Sequence, residues 1–116
     1  MTEPTVFTRI VRGEIPADVV FENERVLAIT DIEPQAPVHL LVFPKTQQYA
    51  TVAELAAGDP GLLAEVVEVA QSLADAHSGG QFRLVFNSGA EAGQTVFHVH
   101  AHVLGGHQTE GSLATG

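Results

Sequence analysis

"GQTVFHVHAHVLGG", Gly93 to Gly106, is the stretch from which the fold can be read. His98, His100 and His102 take every second place in its middle, and Val99, Ala101 and Val103 stand between them. A period of two marks a β-strand, because successive side chains point to opposite faces of a sheet. The valine and alanine set can pack beneath helices, while the histidine face turns toward something that uses imidazole. We expect this last strand over 95–104.

Moving outward, "FRLVFNSG" reads as the strand before it, joined through the Gly-containing loop "NSGAEAGQT". Upstream of that strand lies the clearest helical region. Asp59 is a good N-cap, Pro60 fits N1, and Leu62, Leu63, Val66, Val69, Ala70 and Leu73 form a stripe that "SGG" ends. "TVAE" pairs Thr51 with Glu54 as a capping box for a shorter helix. "VHLLVFPK" is an apolar strand ended by Pro44, and "DVVFENERVLAITD" holds two strands, 18–22 and 25–31, around a turn at Glu22-Asn23-Glu24. Val6, Phe7, Ile10 and Val11 fall at helical spacing before Gly13. The order predicts an α+β fold: five strands in a mostly antiparallel sheet, with one long and one or two short helices packed on one side.

With 116 residues, 45% of them hydrophobic, the chain fits a single domain over 1–116 with its own core. Its end, about 107–116, carries one leucine and is expected to be flexible. Cysteine is absent, which removes thiolate zinc sites, disulfides and cysteine nucleophiles and agrees with a cytoplasmic setting. No basic and apolar leader opens the sequence, so no secretory signal is expected, and no apolar run suggests a membrane span. A net charge of -9, from fourteen acids against five bases, argues against nucleic acid as a partner. A small phosphate-bearing ligand remains open if histidines and backbone N–H groups supply the donors.

Three readings of the histidines compete. As metal ligands, His98 and His102 lie about 13 Å apart along a strand, so a cage needs two of the three plus His39. As decoration, they simply occupy an exposed strand face. As a catalytic set, they cannot all be cations, since each positive charge lowers its neighbours' pKa. A neutral central His100 flanked by protonatable partners is then a natural nucleophile and acid arrangement. The loop before it offers Asn87, Thr95 and backbone amides to phosphoryl oxygens, and it lacks the Gly-Lys-Ser/Thr of a P-loop.

"HVHAHVL", His98 to Leu104, resembles the signature of the histidine triad family. "DIEPQAPVHLLVFPK" and "NSGAEAGQTVFHVHAHVLGG" look like that family's two longest shared blocks, and "VFTRIVRGEIPADVVFENERVLAITD" is similar to its N-terminal region. The Gly105-Gly106 ending points to the Hint-like branch of nucleoside phosphoramidases. The resemblance implies a homodimer whose sheets join across the interface. It also implies hydrolysis of P–N or P–O bonds in nucleoside 5′-monophosphate conjugates through a covalent nucleotidyl-histidine, with no cofactor and no catalytic metal. By position His100 is the nucleophile, the His98 carbonyl orients its ring, His102 contacts the phosphate and protonates the leaving group, and His39 stands behind the triad in a relay. Asp31 matches the acid that binds ribose hydroxyls. Asn87, Gly93 and Thr95, with Gln94 among them, match the phosphate contacts. Val6, Phe7, Ile10, Ile29 and Ile32 line the base pocket.

Two departures qualify this. Some bacterial members carry a Cys-x-x-Cys near the N-terminus that helps to bind structural zinc; Thr5 and Thr8 stand there in this chain, so such a site is not expected. The tail lacks the tryptophan that closes over the neighbouring subunit's site in some members. The expectation is therefore a purine nucleoside phosphoramidase-like hydrolase acting on AMP or GMP conjugates. Its competitors are a nucleotide-binding regulatory dimer with weak catalysis and a His-ligated metalloprotein.

Overall fold

Thr5 opens the first element: its hydroxyl accepts the Thr8 N–H, and helix α1 runs Val6–Val11. Gly13, at φ 77°, turns the chain out of it. This computed structural model describes residues 3–107, so the expected flexible tail beyond His107 lies outside the described residues. Strands β1 (Val19–Glu22) and β2 (Val26–Thr30) form a hairpin. Asn23 shapes its turn by accepting the N–H groups of Arg25 and Val26 at 3.0 and 2.8 Å. Strand β3 (Val38–Pro44) follows, then helices α2 (Val52–Gly58) and α3 (Pro60–His77), strand β4 (Phe82–Val85), a 3₁₀ turn at Ala90–Ala92 and strand β5 (Ala101–Gly105).

The caps act as their residue types predict. Asp59 Oδ1 accepts the Leu62 N–H at 3.0 Å, and Thr51 Oγ1 accepts that of Glu54 at 3.3 Å. Glu54 reaches back one residue further than a capping box requires, to the Ala50 N–H at 2.9 Å.

The sheet has five strands in the order β1-β2-β3-β5-β4, every neighbouring pair antiparallel. Alternation divides it into two faces. Val26, Ala28, Leu40, Val42, Ala101 and Val103 pack against Leu55 of α2 and Leu62, Val66, Val69 and Leu73 of α3. Leu27, Ile29, Leu41 and Phe43 point the other way and meet Phe7 of α1. The helices are therefore not all on one side. The two C-terminal helices cover one face, and the six-residue α1 crosses the other because Phe7 needs an apolar partner.

The last strand is shorter than the sequence implies. The Val99 N–H donates to Tyr49 O, 2.9 Å away, so the chain over 96–100 is held by the loop after β3 rather than by the sheet ladder. Pro44 ends β3 and has no N–H to extend that ladder. The alternation nevertheless persists, with Val99 in the same apolar cluster as Ala101 and Val103. Among the described residues no helix is long and apolar enough to cross a membrane.

Candidate active site

The face under α1 carries the histidines. Register pairs Leu41 with His102, so His39, two residues before Leu41 and on the same face, meets His102 diagonally across β3 and β5. His98 and His100 sit just before β5. All four are buried: His39 is 5% exposed, His98 0%, His100 7% and His102 3%. An exposed decorated face is thus not what the chain forms. Buried imidazoles must have their nitrogens assigned to partners, and those partners fix where the protons are.

His100 Nδ1 lies 2.9 Å from the main-chain carbonyl of His98. A carbonyl only accepts, so Nδ1 carries the proton and the neutral ring has its lone pair on Nε2. His102 is arranged oppositely. The Gln35 N–H donates to His39 Nδ1 at 2.9 Å, which leaves the His39 proton on Nε2. His39 Nε2 stands 2.9 Å from His102 Nδ1 and 3.3 Å from Asp31 Oδ2, so it donates toward both. With Nδ1 accepting, neutral His102 holds its proton on Nε2. The His100 and His102 rings lie side by side, tilted 58° with centroids 5.2 Å apart. One is a base at Nε2 and its neighbour an acid at Nε2.

Burial holds the His98 pKa below its ordinary value; the hydrogen bond to Pro44 O opposes this, and the nearby His100 adds to it. Burial also lowers the His39 pKa, against the pull of the Asp31 carboxylate. Both therefore favour the neutral, hydrogen-bonding form. Asp31, His39 and His102 each offer a donor atom within 4.8 Å of the others, a grouping that can hold a cation.

Beside the histidines, a pocket of about 470 Å³ opens between α1 and β2. Val6, Phe7, Ile10, Ile29, Asp31 and Ile32 all line it. Ile32, 94% exposed, stands at its rim. Phe7 links pocket to histidines: its ring stacks on Phe43 at 4.4 Å and meets His98 and His100 edge-on at 5.5 and 4.8 Å. Asp31 both caps its own turn, accepting the Glu33 N–H at 2.7 Å, and faces His39.

Asn87, Gly93 and Thr95 lie on the loop that leads from β4 into the histidine segment. Gly93 adopts φ 94°, which an L side chain resists, and Asn87 Nδ2 is buried with no hydrogen-bond partner among the described residues. Gln94, expected among the phosphate contacts, turns its side chain into the loop. Its side chain accepts the Gly89 N–H at 2.8 Å and donates to Ala50 O and Val96 O at 2.6 and 3.0 Å, so it is a strut inside the loop.

Several contributors escaped the sequence reading. Ile15, Pro16, Ala17 and Leu41 also line the pocket. Phe43 was legible only as a strand residue, yet at alternate spacing from His39 it falls on the same face. Thr5 and Thr8 are bound with Gln47 and His98 into a hydrogen-bonded cluster. Neutral hydroxyl and amide oxygens are not the thiolate and imidazole donors that structural zinc takes, so these residues do not fit that metal.

A model of the HIT domain matches residues 12–109. The chain is 48% identical over 110 residues to an uncharacterized HIT-like protein of Synechocystis, covering 91% of this chain and 93% of that one. It is 38% identical over 108 residues to the purine nucleoside phosphoramidase of Escherichia coli, covering 91% and 90%. The solved structure of a HIT family hydrolase from Clostridium thermocellum superposes with a TM-score of 0.88 at 38% identity, over 98% of this chain and all of the other.

Proposed function

The chain belongs to the histidine triad (HIT) family, and on that footing we propose that it hydrolyses P–N or P–O bonds of purine nucleoside 5′-monophosphate conjugates through a covalent nucleotidyl-histidine on His100. The observation that carries this reading is the pair of opposite tautomers, an unprotonated Nε2 on His100 beside a protonated Nε2 on His102. Nucleophile and acid are thereby prepared before substrate arrives.

In the first step His100 Nε2 forms a bond to the α-phosphorus, the P–N bond breaks, and His102 gives its Nε2 proton to the departing amine. In the second, water attacks phosphorus and gives a proton to His102 Nε2, the N–P bond to His100 breaks, and the nucleoside monophosphate leaves. The net change is conjugate plus water to amine plus nucleotide. His98 O holds the Nδ1 proton as positive charge develops on His100, and His39, backed by Asp31, fixes His102. The apolar pocket suits a nucleobase, Asp31 at its edge suits ribose hydroxyls, and the buried Asn87 amide with the Gly93 and Thr95 backbone suits phosphoryl oxygens. Purine specificity is supported by the named activity of the Escherichia coli relative.

A homodimer in the cytoplasm completes the proposal. Edge strand β4, whose Phe82 and Leu84 are only partly buried, is a surface on which a second sheet can continue; sedimentation tests it.

The decisive experiment mixes the metal-free protein with adenosine 5′-phosphoramidate, quenches within milliseconds and reads intact mass. An adduct of one AMP on the wild type, lost in His100→Ala and kinetically competent for AMP release, is expected. Nucleotide binding with neither adduct nor AMP would instead favour a nucleotide-binding regulatory protein. The metalloprotein reading, which the Asp31, His39 and His102 grouping keeps in view, requires stoichiometric zinc and loss of function on chelation.

A further inference from the structure

We propose that Thr5, Thr8 and Gln47 form a latch that positions His98 and, through its carbonyl, the ring of His100, which makes the three of them positioning residues for transfer to His100. The inference rests on the reading of His100 as nucleophile.

The hydrogen bonds run in one direction. Pro44 O lies 2.7 Å from His98 Nε2 and can only accept, so that nitrogen bears the proton. His98 Nδ1 then offers a lone pair, and Thr5 Oγ1 stands 2.7 Å from it. The Thr8 hydroxyl donates to Gln47 Oε1 at 2.6 Å, as does the Thr5 N–H at 3.0 Å. The Gln47 amide is oriented in turn by its Nε2 donating to Glu3 O at 3.1 Å. With the Thr8 hydrogen committed to Gln47, the one Thr5 hydroxyl hydrogen has two acceptors in reach, Thr8 Oγ1 at 3.2 Å and His98 Nδ1 at 2.7 Å, and the shorter contact to the imidazole lone pair takes it. Thr5 Oγ1 meanwhile accepts the Thr8 N–H at 3.1 Å. Both ring nitrogens of a fully buried His98 are thus bonded, one to the end of β3 and one to the start of α1.

That double hold bears on chemistry because His98 O receives the His100 Nδ1 proton. The two ring bonds hold the His98 residue in place; if the residue shifts, its carbonyl shifts with it, and the tautomer that leaves His100 Nε2 unprotonated loses its anchor. The latch also ties two functions together. The element it fastens supplies Val6, Phe7 and Ile10 to the pocket wall, and Phe7 touches the rings of both His98 and His100. Pocket and nucleophile are therefore registered through one hydroxyl.

The plainer role of Thr5 is that of an N-cap, and substitutions separate the two. Thr5→Ser keeps both roles. Thr5→Asp keeps the cap, since aspartate accepts N–H groups as well as threonine does, but it has no proton to give His98 Nδ1. The experiment measures imidazole ¹⁵N shifts of the free protein, which report both tautomers without substrate, beside kcat and KM for adenosine 5′-phosphoramidate. We expect Thr5→Asp and Thr5→Val to lose the single tautomer of His98 and His100 and to lower kcat by between about ten- and a hundred-fold. Thr5→Ser should restore both. Gln47→Met, further from His98, should show the same pattern more weakly and serves if position 5 variants fail to fold. Tautomers and kcat unchanged in Thr5→Asp and Gln47→Met would overturn the latch. An inactive wild type that still shows both tautomers would instead overturn the reading of the reaction.

Discussion

Both faces of the sheet are built by the same alternation along β2, β3 and β5, yet one is closed and the other is open. Under α2 and α3 the strands present Val26, Ala28, Leu40, Val42, Ala101 and Val103, and the buried cluster is aliphatic, with Phe21, Tyr49, Phe82 and Phe86 packed at its margin. Such a face needs only volume and burial to be satisfied. Under α1 the same strands present Leu27, Ile29, Leu41 and Phe43 among buried imidazoles, and the six-residue helix buries these four yet leaves an opening beside Ile29 and Leu41. A pocket of about 470 Å³ remains, and the buried imidazoles beside it are held by directed hydrogen bonds. The two faces divide the labour. The closed face stabilises the fold generically, and the open one spends burial on fixing protons.

The sharpest test of that division is to cripple each face separately. On the proposed reaction, His100→Ala removes the proposed nucleophile and should reduce hydrolysis of adenosine 5′-phosphoramidate on the order of 10⁴-fold or more, with little change in the urea midpoint. Leu55→Ala, at a fully buried position of the closed face, should cost about 2–5 kcal/mol of stability in urea titration. Its kcat below the transition should stay at the wild-type value. If Leu55→Ala lowered kcat as steeply as it lowers stability, the two faces would be one mechanical unit and the comparison would break.

The closed face is also the legible one. Asp59, Pro60 and the apolar stripe of α3 are local signals, and each acts where its residue type says it should. Alternation likewise carries Val99, Ala101 and Val103 to the core even where the ladder stops. The open face is legible only in part. His98, His100 and His102 announce themselves by spacing, but their opposite tautomers depend on Gln35, Pro44 and His39, which no local pattern joins to them. Gln47 stands 42 residues from Thr5 and reaches it only because β3 returns the chain to α1. Gln94 looked like part of a phosphate loop, and its inward turn follows from partners at Ala50 and Gly89. Spacing finds residue types; hydrogen-bond direction needs the fold.

Protonation offers a smaller test, specific to the open face. His98 and His39 have folded-state pKa values below the ordinary 6.5, in both cases chiefly through burial. The unfolded chain therefore binds more protons than the folded one just below pH 6.5. Their contribution is complete above that pH and is lost as acidification proceeds toward the folded values. Unfolding free energy should fall by at most about 1.4 kcal/mol per pH unit for each group. Urea titrations from pH 7.5 to 5 check this, and Leu55→Ala should show the same slope from a lower starting point, since its lesion is on the other face.

The mildest lesion is the most demanding of the comparison. Thr51 caps α2 through its hydroxyl, which accepts the Glu54 N–H, and α2 belongs wholly to the closed face. Thr51→Ala should cost about 1 kcal/mol. Yet α2 begins just after Tyr49 and Ala50, whose carbonyls accept the Val99 N–H and the Gln94 side chain. The loop carrying these two residues joins the closed face to the histidine segment. If the cap is only a cap, kcat and the imidazole ¹⁵N shifts of Thr51→Ala match the wild type. A fall in kcat larger than the fall in stability would mean that the loop transmits strain from α2 to the histidine segment. The boundary between the faces would then run through Tyr49 and Ala50 rather than through the plane of the sheet.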